Sequence, residues 1–271
     1  MQIKQIKFPL TNQQFLNVIY NSFAEFIASG GSSRSTKKLK PLHGKIAEGI
    51  DYLLKIKDPI TVYEIFAQGF GCDKETYIPG ILYDKKVDIT ITKNNIAVAG
   101  IAIKFVMQNY SQNSVNYFEN MLGETANIRC NNCPYFQIFI VLDEMPYYES
   151  EDEDKEKYIK RWETFTEKHM EKYFKLNCYS TFNNLFIPNK TLIYIVKLPP
   201  IIDKEQVKTQ TEYLNYYKEL KNFDLIAVYP HPVIPVYLHP VFYKHNNVIV
   251  NNFELFLNEV AKTIIANTII F

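Results

Sequence analysis

The reading of this chain turns on YDKKVDITI, Tyr83 to Ile91, and on IAVAGIAIKF, Ile96 to Phe105, which follows across a turn at Lys93-Asn94-Asn95. Both segments are short, apolar and rich in β-branched residues, and the polar pair between them suits a hairpin. On a strand, residues two apart share a face. That sets Ile96, Val98, Gly100, Ala102 and Lys104 on one side of the second strand, and Ala97, Ala99, Ile101, Ile103 and Phe105 on the other. Asp88 lies inside the apolar run VDITI, and a hairpin brings it towards the 102–104 face. A polar break, VMQNYSQNS, leads to a helical run, VNYFENMLGETANIR, ending at Arg129.

On the N-terminal side, residues 11–29 form a helix: Thr11 caps it, Phe15, Val18, Ile19, Phe23 and Phe26 recur at helical spacing, and Gly30-Gly31 stops it. A basic stretch, SSRSTKKLKPLHGK, comes next. Residues 1–50 carry seven Lys/Arg (Lys4, Lys7, Arg34, Lys37, Lys38, Lys40, Lys45) against Glu25 and Glu48. A Gly/Ser-led loop of clustered bases suits phosphates, though such a loop can also be plain solvated surface. A helix is expected over 43–56 and a shorter one over 61–68, bearing Glu48 and Glu64.

On the C-terminal side, FQIFIVLD (Phe136–Asp143) is a buried strand, followed by an acidic loop over 146–156. A helix over 155–176, a strand near Leu192–Val196, a helix over 204–220, a strand at Leu225–Val228 and a last helix over 252–266 complete the pattern. The expected class is α/β: one central mixed sheet flanked by helices. The chain is read as a single domain, 1–271, with N-terminal helices and basic loop (1–60), a core (61–143) and a C-terminal α/β part (144–271). The proline-rich stretch 230–240 is a candidate arm or dimer contact, more simply a packed crossing.

Composition bounds the function. The 271 residues, 47% hydrophobic, suffice for a large core, and the formal net charge is +1. No apolar run of about 18 residues offers a membrane span, and the N-terminus lacks a signal-peptide core, so a cytoplasmic chain is expected. Four cysteines are too few and too scattered for a disulfide scaffold, and Cys130-x-x-Cys133 has no second Cys or His pair at the usual spacing of a four-ligand zinc site. His231, His239 and His245 stand at wide spacing without an acidic partner pattern, and no glycine-rich phosphate loop is present.

A carboxylate beside a lysine can hold Mg²⁺ and orient water against a phosphate. Asp88 and Lys104, on adjoining strands with a helix following, resemble the PD-(D/E)xK nuclease superfamily, which includes most type II restriction endonucleases. Asp88 matches the first acid of that pattern, with Val87 where proline often stands. Ala102-Ile103-Lys104 matches the acid-x-Lys element, except that alanine replaces the acid. The resemblance covers roughly residues 43–143. It implies a restriction-endonuclease-like core and Mg²⁺-dependent hydrolysis of sequence-specific double-stranded DNA. Asp88 would bind the metal, with position 102 and the Ile103 carbonyl as the other expected metal positions, and Lys104 would assist the water. A homodimer and a cognate DNA methyltransferase in the same cell would be the partners.

Ala102 admits three readings. It can be an inactivating substitution in an otherwise intact site, which the surroundings favour. The acid can have migrated to the following helix, where an inward stripe of Val115, Phe118 and Leu122 puts Glu119 closer to the core than Glu124. Or the fold can have become a catalytically silent DNA-binding protein. Candidate DNA contacts are Arg34, Lys37, Lys38 and Lys40 on the basic loop, Asn109, Gln112 and Asn113 after the second strand, and Arg129; Asn116 belongs to the same amide set, while Glu48 and Glu64 could reach a metal through water.

Overall fold

A computed structural model describes residues 10–31, 38–149, 156–180, 184–231 and 247–268. Two helices open it. Helix α1 (Asn12–Ala28) starts at a reciprocal cap in which Gln14 N–H donates to the Thr11 hydroxyl and Thr11 N–H donates to the Gln14 side chain. Helix α2 (Lys40–Lys57) buries Leu42, His43, Ile46, Ile50, Leu53 and Leu54. The central segment contains β1 (Glu64–Ala67), β2 (Thr76–Ile78), β3 (Lys85–Val87), β4 (Ile89–Lys93) and β5 (Ile96–Val106), then α3 (Tyr110–Arg129) and β6 (Tyr135–Leu142). The remainder is β7 (Glu144–Glu149), β8 (Tyr158–Thr164), α4 (Glu167–Phe174), β9 (Lys190–Lys197), α5 (Gln210–Leu220), β10 (Ile226–Ala227), β11 (Val248–Val250) and α6 (Phe253–Thr268).

The architecture is α/β around one mixed sheet in the order β1-β4-β5-β6-β9-β10, with β11 also paired to β9. β5, β6 and β9 run parallel, while β1, β4 and β10 join antiparallel. Every residue of β6 is buried, as expected for a central parallel strand covered on both faces. α1, α2 and α6 contact one another, and α6 packs on β5 and β9 to close the larger core. On the opposite face, Ile78, Val87, Ile128, Cys133 and Tyr135 form a second, smaller cluster against which Ala97 and Ala102 pack. Among the described residues no helix is long and apolar enough to cross a membrane.

Four elements differ from expectation, the first being that the acidic loop expected over 146–156 begins as the end of β7, because residues 146–149 pair with β8. Residues 64–67 are a strand, because the open edge of β4 offers the backbone of Glu64–Ala67 a ladder, and Ile65 and Ala67 face inward from it. The long helix expected over 155–176 is instead β8, hairpin-paired with β7, followed by the short α4. The helix expected over 204–220 is a 3₁₀ turn, Lys204–Gln206, followed by α5, whose true start is the Thr209–Glu212 capping box. Most of the proline-rich stretch, including His239 and His245, lies outside the described residues. His231 is described, and its Nε2 stands 2.8 Å from Asp143 Oδ1.

The hairpin forms at the expected turn, with Asn94 and Asn95 both in the left-handed region. Its two faces do not alternate throughout. The register runs Ile91↔Ala99 and then Thr92↔Ala97, so Val98 is an extra bulged residue. Val98 therefore packs with the larger core and Ala97 with the smaller cluster, the reverse of strict alternation. Beyond the bulge the expected phase holds: Ala99, Ile101, Ile103 and Phe105 enter the larger core, and Ala102 faces the smaller cluster and the cleft beside it.

Candidate metal and phosphate cleft

Asp88 occupies the break between β3 and β4. The register Ile89↔Ile101, carried one residue further, sets Asp88 across from Ala102. Here the ladder is replaced by a side chain: Ile103 N–H donates to Asp88 Oδ2 at 2.7 Å. This bond fixes the carboxylate at the middle of the Ala102-Ile103-Lys104 triplet. Burial outweighs it and pushes the Asp88 carboxyl up to about 6, with Glu75 and Glu124 adding to the rise.

Asp88 opens on a cleft of about 220 Å³ whose lining includes Lys85, Ala102, Lys104, Tyr117, Glu124, Tyr135 and Gln137. The Lys104 ammonium lies 4.5 Å from the centre of the Tyr117 ring. The lysine reaches solvent, yet the cleft wall lowers its pKa by desolvation, against the pull of Asp88 and Glu124. Glu124 accepts from Lys85 Nζ at 2.6 Å and from the Tyr135 hydroxyl at 3.2 Å. Gln137 pairs in register with Ala102, is 7% exposed, and its Nε2 has no hydrogen-bond partner in the structure.

Of the two α3 carboxylates, the one that lines the cleft is Glu124. Glu119 is exposed and does not line the cleft. The reason is helical phase. Of the expected stripe, Phe118 and Leu122 pack against the core while Val115 is 60% exposed; Tyr117, Met121 and Glu124, spaced three and four apart, face the cleft together.

A second group gathers at Asp88. His43 on α2, Glu75 in the loop before β2, and Asp88 each offer one ligand atom within 4.8 Å of the others, a set able to hold a metal ion. His43 is 2% exposed, and both its ring nitrogens are buried without a hydrogen-bond partner. Desolvation lowers its pKa to about 4, against the opposing effect of Glu75, so the imidazole is neutral. The basis for this approach is packing between α2 and the following loop. A Cβ on Gly44 would sit 2.4 Å from the Gly69 carbonyl oxygen, and Gly69 itself has φ +77°. Asp73 locks the loop by accepting from Gly69 N–H at 2.6 Å and pairing with Lys40 at 2.5 Å. The sequence carried one usable sign of His43: it precedes Ile46 by three residues and Ile50 by seven, which puts it on the inward stripe. Gln137 is likewise the one amide in an apolar strand.

The expected DNA contacts are dispersed. Arg34 and Lys37 lie outside the described residues. Lys38 is buried at 6% exposure, its ammonium over the Phe26 ring, with its pKa lowered to about 8 by burial and by Lys104. Lys40 is engaged with Asp73. Asn109 begins α3 in the left-handed conformation, exchanges hydrogen bonds with the Tyr148 backbone and donates to Gln112. Asn113 is half-buried and Gln112 exposed. Arg129 is buried, donating to the carbonyls of Asn184 and Ile187, so it ties down the end of α3. Glu48 pairs with Lys45 on the surface, and neither it nor Glu64 lines the cleft.

No protein-family model, curated protein or solved structure matches the chain.

Proposed function

We propose that the chain is a divalent-metal-dependent phosphodiester hydrolase acting on double-stranded DNA, of the restriction-endonuclease kind. The observation that carries this reading is the Asp88 carboxylate, held by Ile103 N–H in the same cleft as Lys104 and Glu124. A divalent ion held at Asp88 would supply electrostatic stabilisation to a phosphate in the cleft. The donor set fits such an ion, because Asp88 is a half-buried carboxylate and the neighbouring buried imidazole has no protein partner.

The chain's own residues divide the remaining work. Lys104 brings a cation to the phosphate side of the cleft and, with its pKa lowered, can hold or release a proton near an attacking water. Glu124 provides the carboxylate that Ala102 lacks, and Lys85 and Tyr135 fix its position. Gln137 offers an unpaired N–H to an oxygen of the substrate. Mg²⁺ is the ion implied by the resemblance, and site specificity with a two-fold dimer belongs to the same proposal.

The test is cleavage of plasmid DNA of high sequence complexity with Mg²⁺ or Mn²⁺. Cleavage that disappears in Asp88→Asn, Lys104→Ala and Glu124→Gln and survives in Glu119→Gln supports the reading with the acid on α3. Cleavage appearing only in Ala102→Glu assigns the defect to position 102. Salt-dependent duplex binding without cleavage in either form leaves a silent DNA-binding protein, and no duplex binding at all overturns the proposal.

A further inference from the structure

We propose that His43, Glu75 and Asp88 form a mixed nitrogen–oxygen metal site selective for Mn²⁺-type transition ions over Mg²⁺. This rests on the hydrolase reading and deepens it by naming the ion class at Asp88 and the two further donors beside that carboxylate.

The chemistry of the donors points there. Two carboxylates and a neutral imidazole balance a divalent cation. Mg²⁺ favours all-oxygen octahedral surroundings with several retained waters, whereas a site of two carboxylates and one imidazole accepts first-row transition ions, Mn²⁺ through its carboxylates and Fe²⁺, Co²⁺ and Zn²⁺ increasingly through the nitrogen. A histidine with two unpartnered buried nitrogens leaves a polar group unsatisfied in the core, and coordination would satisfy it.

The surroundings hold the donors in place. Asp88 is braced by Ile103 N–H through Oδ2. Glu75 is braced by Gln68 Nε2 at 2.8 Å and by Lys86 at 3.2 Å. Such outer contacts orient ligands towards a metal. His43 Nδ1 and Glu75 Oε1 stand 4.0 Å apart. Ligands at about 2.1 Å from a shared ion lie roughly 3–4 Å apart, so small side-chain movements close the set. Access exists beside Glu75, where Lys40, Gln68, Asp73, Lys74 and Lys86 line a second cleft of about 310 Å³.

Calorimetric titration of the full chain with Mn²⁺ and, separately, Mg²⁺ tests the site, and Co²⁺ absorption provides a spectroscopic readout. The expected result is one Mn²⁺ site, at least about tenfold tighter than Mg²⁺. His43→Asn should weaken Mn²⁺ by about tenfold or more, remove the preference over Mg²⁺ and alter the Co²⁺ spectrum, with circular dichroism checking the fold. Glu75→Gln, at a less buried position, should give a comparable loss and carries the test if His43→Asn does not fold. Undiminished Mn²⁺ binding in Glu75→Gln or a folded His43→Asn, or equal affinity for both ions in the parent, overturns the inference. Mn²⁺ binding that depends on His43, with no DNA cleavage by the parent or by Ala102→Glu, upholds the metal site and removes the hydrolase reading. Mg²⁺-supported cleavage indifferent to His43 does the opposite.

Discussion

Half-buried Asp88 and buried His43 are two titratable residues whose effects on stability oppose one another. The Asp88 carboxyl rises to about 6 in the fold, so the folded state holds its proton more tightly than the unfolded chain. Its contribution is fully present below the unfolded pKa and is lost as pH climbs through about 6. His43 falls to about 4, so the unfolded chain holds that proton more tightly, and stability is lost as pH drops from about 6.5 towards 4. Between these limits the two slopes largely cancel. In metal-free protein, Asp88→Asn should therefore be more stable than the parent at pH 7–8, by on the order of 2–3 kcal/mol. It should also acquire the uncompensated His43 slope, losing stability on acidification below about pH 6.5. Urea midpoints measured from pH 4 to 8 in chelator check both. A destabilised Asp88→Asn at neutral pH would mean that this carboxylate is not strained by burial.

At the level of elements, the contact between α2 and the 69–75 loop decides whether His43 and Glu75 meet. Gly44→Ala places a methyl 2.4 Å from the Gly69 carbonyl oxygen, a backbone atom that cannot step aside. It should cost about 1–3 kcal/mol and separate the helix from the loop. Gly123→Ala on α3 meets nothing within 4 Å and should stabilise by about 0.5–1 kcal/mol, as alanine does in an open helix. Chemical denaturation of the pair distinguishes a steric contact from a generic glycine effect. The same contrast explains what could be read from the chain alone. Asp88 and Lys104 were legible because strand phase and one short turn sufficed to place them. That Glu124, not Glu119, lines the cleft was less legible, because the apolar stripe of α3 includes Val115, which tertiary packing leaves exposed. The meeting of His43 and Glu75 was not legible, since it depends on a glycine contact between segments about 25 residues apart, which no periodicity encodes.

For the whole molecule, stability should be graded outward from β6. That strand is buried throughout and flanked in register by β5 and β9, whereas β1 is a four-residue edge and β2 pairs only with β3 outside the main sheet. The central strands were foreseeable from runs such as FQIFIVLD and TLIYIVKL, in which apolar residues are nearly continuous. The edge strands β1 and β8 were not, because their sequences suit a helix nearly as well and only the open backbone of a neighbour decides between them. Native-state hydrogen exchange tests the gradient directly. Amides of residues 135–142 and 191–196 should exchange only through global unfolding, while those of 64–67 and 76–87 should exchange through local openings of lower free energy. Because Asp88 directly follows the 76–87 hairpin, and Glu75 directly precedes it, a bound transition ion would tie both ends of that hairpin to α2. Adding Mn²⁺ should then slow exchange at 76–87 far more than at 135–142. Equal protection of both regions would show that the ion stabilises the fold as a whole, without clamping the hairpin.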